Sequence, residues 1–209
     1  TDADEEHLSD TISKLNLGEK TCVVGYIGSL RDLEGVDDTA IAVSILKAAG
    51  HDIRFLVLSG QSNQDKLRQL CVQLDLGDNA IITGPVPHER VSEYYKLIDV
   101  FVVSRPDTRV TRLVTPLKPF EAMVMKRAVV CSNLPALEEI IQDNVTGRLY
   151  PAGDNEKLAE VILGLVKSKS ERSQLGIAAK EWVLSERTWS KVTEKVPDFY
   201  LQLLNQSGK

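Results

Sequence analysis

Residues Cys22–Leu58 read CVVGYIGSLRDLEGVDDTAIAVSILKAAGHDIRFLVL. Two short apolar runs rich in β-branched residues, Cys22–Ile27 and Ile53–Leu58, enclose a stretch, Asp37–Ala49, whose apolar positions recur at helical spacing. Neither run alternates apolar with polar, so each is expected to be covered on both faces. That is the signature of a parallel strand, and parallel neighbours need a crossover, usually a helix. The alternation continues through the strand candidates Ala80–Thr83, Val100–Val103, Ala128–Cys131 and Gly147–Tyr150. Between and after them lie the helix candidates Asn63–Leu74, His88–Leu97, Pro119–Met125, Pro135–Gln142 and Asn155–Lys167. Pro87 and Pro119 suit first-turn positions, where a missing N–H costs nothing, and Asp154 suits a cap. The expected fold is α/β: one doubly wound, Rossmann-like domain with a six-stranded parallel sheet and additional C-terminal helices.

Around this repeat, residues 1–19 read as a polar, partly helical lead-in, and 20–168 as the Rossmann-like domain. Residues 169–209 read as helices of the same domain, around Glu171–Leu184 and Trp189–Leu204, with Pro197 kinking or dividing the second. A chain of 209 residues can bury roughly 70% of its unfolded surface without staples. Cys22, Cys71 and Cys131 are odd in number and set among aliphatic residues, which suits buried thiols in a reducing, cytoplasmic setting. No apolar run reaches the roughly 18 residues of a membrane span, and the acidic start TDADEEHLSD is unlike a signal peptide. A net charge of -5 argues against a nucleic-acid surface.

In an open parallel sheet, ligands bind beyond the carboxyl ends of the strands. The first such loop, Gly28-Ser29-Leu30-Arg31 continuing to Glu34-Gly35, lets backbone N–H groups approach an anion, though an ordinary tight turn explains it equally well. It has neither dinucleotide-fingerprint spacing nor a Gly-Lys-Ser/Thr end. The turn Thr83-Gly84-Pro85-Val86-Pro87-His88 can present backbone groups to a planar base; His88 itself reads as a helix-start residue rather than a base. The most informative segment is Ser104–Lys126, SRPDTRVTRLVTPLKPFEAMVMK. It gathers Arg105, Arg109, Arg112 and Lys118 in an otherwise acidic chain, as a diphosphate pocket would require. Lys118 falls at the start of a helix, where free N–H groups add to its charge, and Glu121 lies one turn on, suited to accept from two ribose hydroxyls. The plainer reading makes Glu121 a dipole partner and the basic residues a solvated loop.

These residues resemble the C-terminal domain of GT-B glycosyltransferases, especially retaining glycosyltransferase family four. Val24–Leu30 with Glu34-Gly35-Val36-Asp37 is similar to the family's first strand and glycine loop, and Phe120–Ser132 to its donor-binding helix and next strand. Leu137–Ile141, Asn144–Gly147, Tyr150-Pro151 and Trp189 continue the likeness across nearly the whole chain. The chain departs from the pattern where the family has a pair of glutamates, since Leu113 stands in the first place, and where the first loop has Arg and Lys, replaced by Ser29 and Glu34. The resemblance implies a nucleoside diphosphate sugar as donor, a missing N-terminal GT-B domain that binds acceptor, and neither a metal nor a cofactor. It implies donor contacts from Gly28, Ser29, Gly84, Val86, Thr115, Leu117, Lys118 and Glu121, with Arg112 and Lys118 stabilising the leaving diphosphate. A noncatalytic nucleotide-binding or signalling module and a GT-B sugar-nucleotide epimerase are the rival readings. A receiver-like domain is disfavoured, because the strand ends offer Gly28, Gly60, Gly84 and Ser104 instead of an acidic cluster.

Overall fold

The structure, a computed structural model, describes residues 2–18, 20–194, 196–197 and 199–200. Six parallel strands, β1 (Cys22–Ile27), β2 (Ile53–Leu58), β3 (Ala80–Thr83), β4 (Val100–Val103), β5 (Ala128–Ser132) and β6 (Arg148–Tyr150), form one sheet in the order β3-β2-β1-β4-β5-β6. The α/β expectation is met, and every strand lies within one residue of its sequence-predicted span. Continuous apolar runs made this possible: every residue of β1, β4 and β5 is buried, so helices cover both faces. Val24 pairs with both Phe55 and Val100, placing β1 at the centre of the sheet.

The helices are α1 (Asp2–Leu15), α2 (Val36–Ala48), α3 (Gln64–Gln73), α4 (Val91–Leu97), α5 (Arg109–Leu113), α6 (Lys118–Val124), α7 (Pro135–Glu138), α8 (Asn155–Lys167), α9 (Lys169–Glu186) and α10 (Trp189–Thr193). Asp154 caps α8 by accepting from Lys157 N–H, as expected, and Pro119 lies in the first turn of α6. The polar lead-in is the helix α1, and its last residue, Leu15, is fully buried in the core.

Three segments differ from the sequence reading. α7 ends four residues early: Thr146 accepts from Gln142 N–H with its hydroxyl and donates its own N–H to Gln142 O, turning the chain back just after the buried Ile140 and Ile141. A 3-10 turn, His88–Arg90, takes the place of the expected first turn of α4. α5 lies where a loop was expected. Thr108 and Thr111 build it by capping each other, the Thr108 hydroxyl accepting from Thr111 N–H and the Thr111 hydroxyl from Thr108 N–H.

α9 belongs to the body of the domain: it packs on α6 and β5, and Gly176 lies so close to Lys126 that a side chain there would overlap its carbonyl oxygen. Beyond it Trp189, Val192, Val196 and Phe199 are all exposed, whereas Leu203 and Leu204 lie outside the described residues. No described helix is long and apolar enough to cross a membrane. Cys22, Cys71 and Cys131 are buried and free; burial pushes the Cys22 thiol up to about 12 and Cys71 to about 11, so neither is a nucleophile near neutral pH.

β1 and β4 are neighbours whose outgoing loops diverge to opposite sides, and this switch point is where an open α/β sheet has its crevice. The loops are locked to each other. Ser104, just past β4, donates to Gly35 O (2.6 Å), so Thr39 must be the donor in its 2.7 Å bond to the same serine hydroxyl. Gly35 is left-handed (φ 64°), and a methyl group there would overlap Ser104 O. Gly35→Ala is therefore expected to cost at least about 2 kcal/mol, from the left-handed conformation and the displaced loop. Denaturant unfolding measures it, and a variant as stable as the parent would show that the loops are not locked.

Candidate functional site

Three charged side chains converge at the switch point. Glu34 comes from the turn after β1, Arg105 is the second residue past β4, and Lys118 is the first residue of α6. Arg105 Nε and Nη2 both lie 3.3 Å from Glu34 Oε2, its Nη1 donates to Val114 O (3.0 Å), and Lys118 Nζ donates to Glu34 Oε1 at 3.1 Å. The Glu34 and Arg105 side chains are 1% and 6% exposed, against 20% for Lys118. Two cations face one carboxylate, and the one that reaches solvent is Lys118.

The Lys118 stem runs across Gly28, where any Cβ would overlap its Cε, and its ammonium sits 5.7 Å from the centre of the Tyr26 ring. Gly28 is thus bare partly to let Lys118 pass. Tyr26 donates to Ser29 O (3.1 Å) and stacks on Phe101, against which Tyr95 is also packed. Tyr95 donates to Glu121 Oε2 at 2.7 Å. Burial, followed by the Glu121 charge, pushes the Tyr95 hydroxyl far above its ordinary range, so it stays a donor and fixes that carboxylate.

A cavity of about 150 Å³ opens at the ends of β1, β2 and β3, lined by Gly28, Ser59, Gly60, Pro85, Val86 and Val91 among others. Gly84, next to the lining residue Pro85, has φ 96°, and a methyl group there would overlap Ser59 O. Across Val91 a second hollow of about 390 Å³ is lined by His88, Tyr95, Phe120 and Glu121.

Among the sequence-predicted residues, the fold brings Gly28 and Val86 to one cavity, Lys118 to its Gly28 side and Glu121 to the adjoining hollow. Ser29, Thr115 and Leu117 are exposed, on the two loops flanking the switch point. Lys118 and Glu121 do not meet: one reaches Glu34 and the other Tyr95. Arg112 stands apart from the cluster, exposed and paired with Asp107 (2.5 and 2.7 Å), whose carboxyl it holds below the usual range. Arg105 takes the inner position instead. Glu34, read in the sequence as a lost cation, is the anion that gathers two cations. The available signal was positional, since Glu34 and Arg105 follow the two strands that flank the switch point. No group of three or more His, Cys, Asp or Glu suited to a metal occurs among the described residues.

Residues 9–182 match the family described as Glycosyl transferases group 1. A curated relative, the GDP-mannose-dependent alpha-(1-6)-phosphatidylinositol monomannoside mannosyltransferase of Mycobacterium tuberculosis, is 23% identical over 188 residues, covering 89% of this chain and 49% of its own length. The chain thus spans about half the length of that relative. Among solved structures, the C-terminal domain of a glycosyl transferase group 1 family protein from Francisella tularensis superposes with TM-score 0.71 at 20% identity, covering 88% of this chain and 93% of that one. An Anabaena protein solved with UDP and glucose gives TM-score 0.75 at 15% identity, covering 97% of this chain and 53% of that one. These two likenesses establish a shared fold, which the six-stranded sheet displays.

Proposed function

The chain belongs to the group 1 glycosyl transferases, and we propose that it is the donor-binding half of such an enzyme, gripping a nucleoside diphosphate sugar at its switch point. The observation that carries this reading is a buried charge cluster with one cation to spare, Lys118, whose stem crosses Gly28 at the edge of the first cavity, while Glu121 lines the adjoining hollow. A diphosphate at Lys118 puts a base within reach of the cavity beside Val86 and a ribose within reach of Glu121. As the glycosidic C–O bond breaks, negative charge grows on the departing diphosphate, and Lys118 stabilises it there. Transfer goes to an acceptor hydroxyl with retention at the anomeric carbon. The M. tuberculosis relative is named for GDP-mannose and the Anabaena structure holds UDP, which supports a nucleotide donor here.

The acceptor half is a separate N-terminal GT-B domain, in keeping with the half-length match. Residues 20–168 form the donor domain, α9 belongs to the same domain, and the second domain covers the exposed strip of Trp189, Val192, Val196 and Phe199 that follows it. This chain alone is accordingly without transferase activity. The three reduced thiols suit a cytoplasmic setting.

Calorimetric titration with UDP, GDP and ADP tests the reading; absence of heat or thermal stabilisation with all three would remove it. In the same assay Glu121→Gln is expected to weaken ribose-containing ligands about tenfold while leaving inorganic pyrophosphate unchanged, because a neutral amide replaces the carboxylate that accepts from the hydroxyls. Equal loss for both ligands would place Glu121 elsewhere.

A further inference from the structure

We infer that Glu34 is a positioning residue, holding Lys118 at the diphosphate subsite through a shared contact with Arg105; this rests on the donor-binding reading above. A carboxylate beside an anion site is at first sight a defect, because it repels the ligand and cancels a cation. Its placement argues otherwise. Glu34 is 1% exposed, and it accepts from Arg105 through two nitrogens and from Lys118 through a third. The turn that carries it is closed by Glu34 N–H donating to Arg31 O (2.8 Å) and by left-handed Gly35, itself locked against Ser104. Arg105 is tied from the other side by Val114 O. The carboxylate is therefore a rigid anchor, whereas Lys118 has a flexible four-carbon stem that nothing else in the cluster holds at its tip by a hydrogen bond. Held by Glu34, the ammonium stays over Tyr26 and alongside Gly28, and the three groups together carry a single positive charge. Released, it would swing into solvent. The chain thus places its cation from the α6 side and holds it from the first loop.

Two roles for Glu34 predict opposite signs. As a mere neutraliser, its removal raises affinity for diphosphates and steepens the dependence on salt. As a positioning residue, its removal lowers affinity although the cluster becomes more positive. Titrate the parent chain and Glu34→Gln with UDP, GDP, uridine, guanosine and inorganic pyrophosphate. Expected is at least a tenfold loss for the diphosphates and pyrophosphate, with the nucleosides unchanged. Because a lone buried Arg105 can unfold the variant, the double variant Glu34→Leu/Arg105→Met replaces the buried pair with apolar groups and leaves Lys118 in place; the same loss is expected. Diphosphate binding as tight as the parent's or tighter, in whichever variant is folded, overturns the role of Glu34 and leaves the donor reading standing. A parent that binds neither UDP nor GDP removes the donor reading, and this inference with it.

Discussion

Lys118→Ala is expected to weaken nucleoside diphosphate binding by about ten- to a hundredfold, the equivalent of roughly 1.5–3 kcal/mol for a charge-assisted hydrogen bond. The upper part of that range is favoured by what remains, because Glu34 keeps its negative charge at the subsite after its solvent-reaching partner is gone. Nucleosides should lose little. The fold should survive, since Arg105 still pairs with Glu34. Arg112→Ala is the informative control: paired with Asp107 on an exposed helix, it should change affinity less than threefold, within the range typical of exposed ion pairs. Isothermal titration of both variants decides, and a Lys118→Ala chain that is folded and binds as tightly as the parent would remove Lys118 from the diphosphate subsite.

Arg105→Ala is expected to lower stability by about 3–5 kcal/mol, the usual consequence of removing one partner from a buried ion pair. Arg105 supplies most of the donors reaching Glu34 and also bonds Val114 O, so its loss leaves a buried carboxylate short of partners and breaks the tie to the segment after α5. Lys118 limits the damage by keeping one hydrogen bond to the carboxylate. Chemical denaturation with unchanged slope would report this as a shift of midpoint. A loss below about 1 kcal/mol would show that the pair contributes no more than a surface contact.

The sheet could be read from the chain because strands covered on both faces leave uninterrupted apolar runs, as Val100–Val103 and Ala128–Cys131 do. α5 could not, since five residues are too few to show a period, and what makes it is the reciprocal capping by Thr108 and Thr111. The positions of Lys118 and Glu121 at the start of one helix were legible from Pro119 and the run after it. Their separate fates were not: a lysine stem long enough to turn back to Glu34, and a tyrosine from α4 waiting for Glu121, are set by tertiary packing. The Glu34–Arg105 contact joins residues 71 positions apart. A sequence shows a charge in a loop, and only the fold shows that the charge is buried and why it can be.

The stack of Phe120 on Trp182 places an indole beside the helix that carries Glu121, with ring centroids 6.3 Å apart and the Arg187 guanidinium 5.1 Å from the indole centre. The other tryptophan, Trp189, is 85% exposed. A dissolved collisional quencher such as iodide will extinguish Trp189 and spare much of the emission of half-buried Trp182. The chain therefore carries its own optical gauge of α6, readable without a label whenever a ligand settles against that helix.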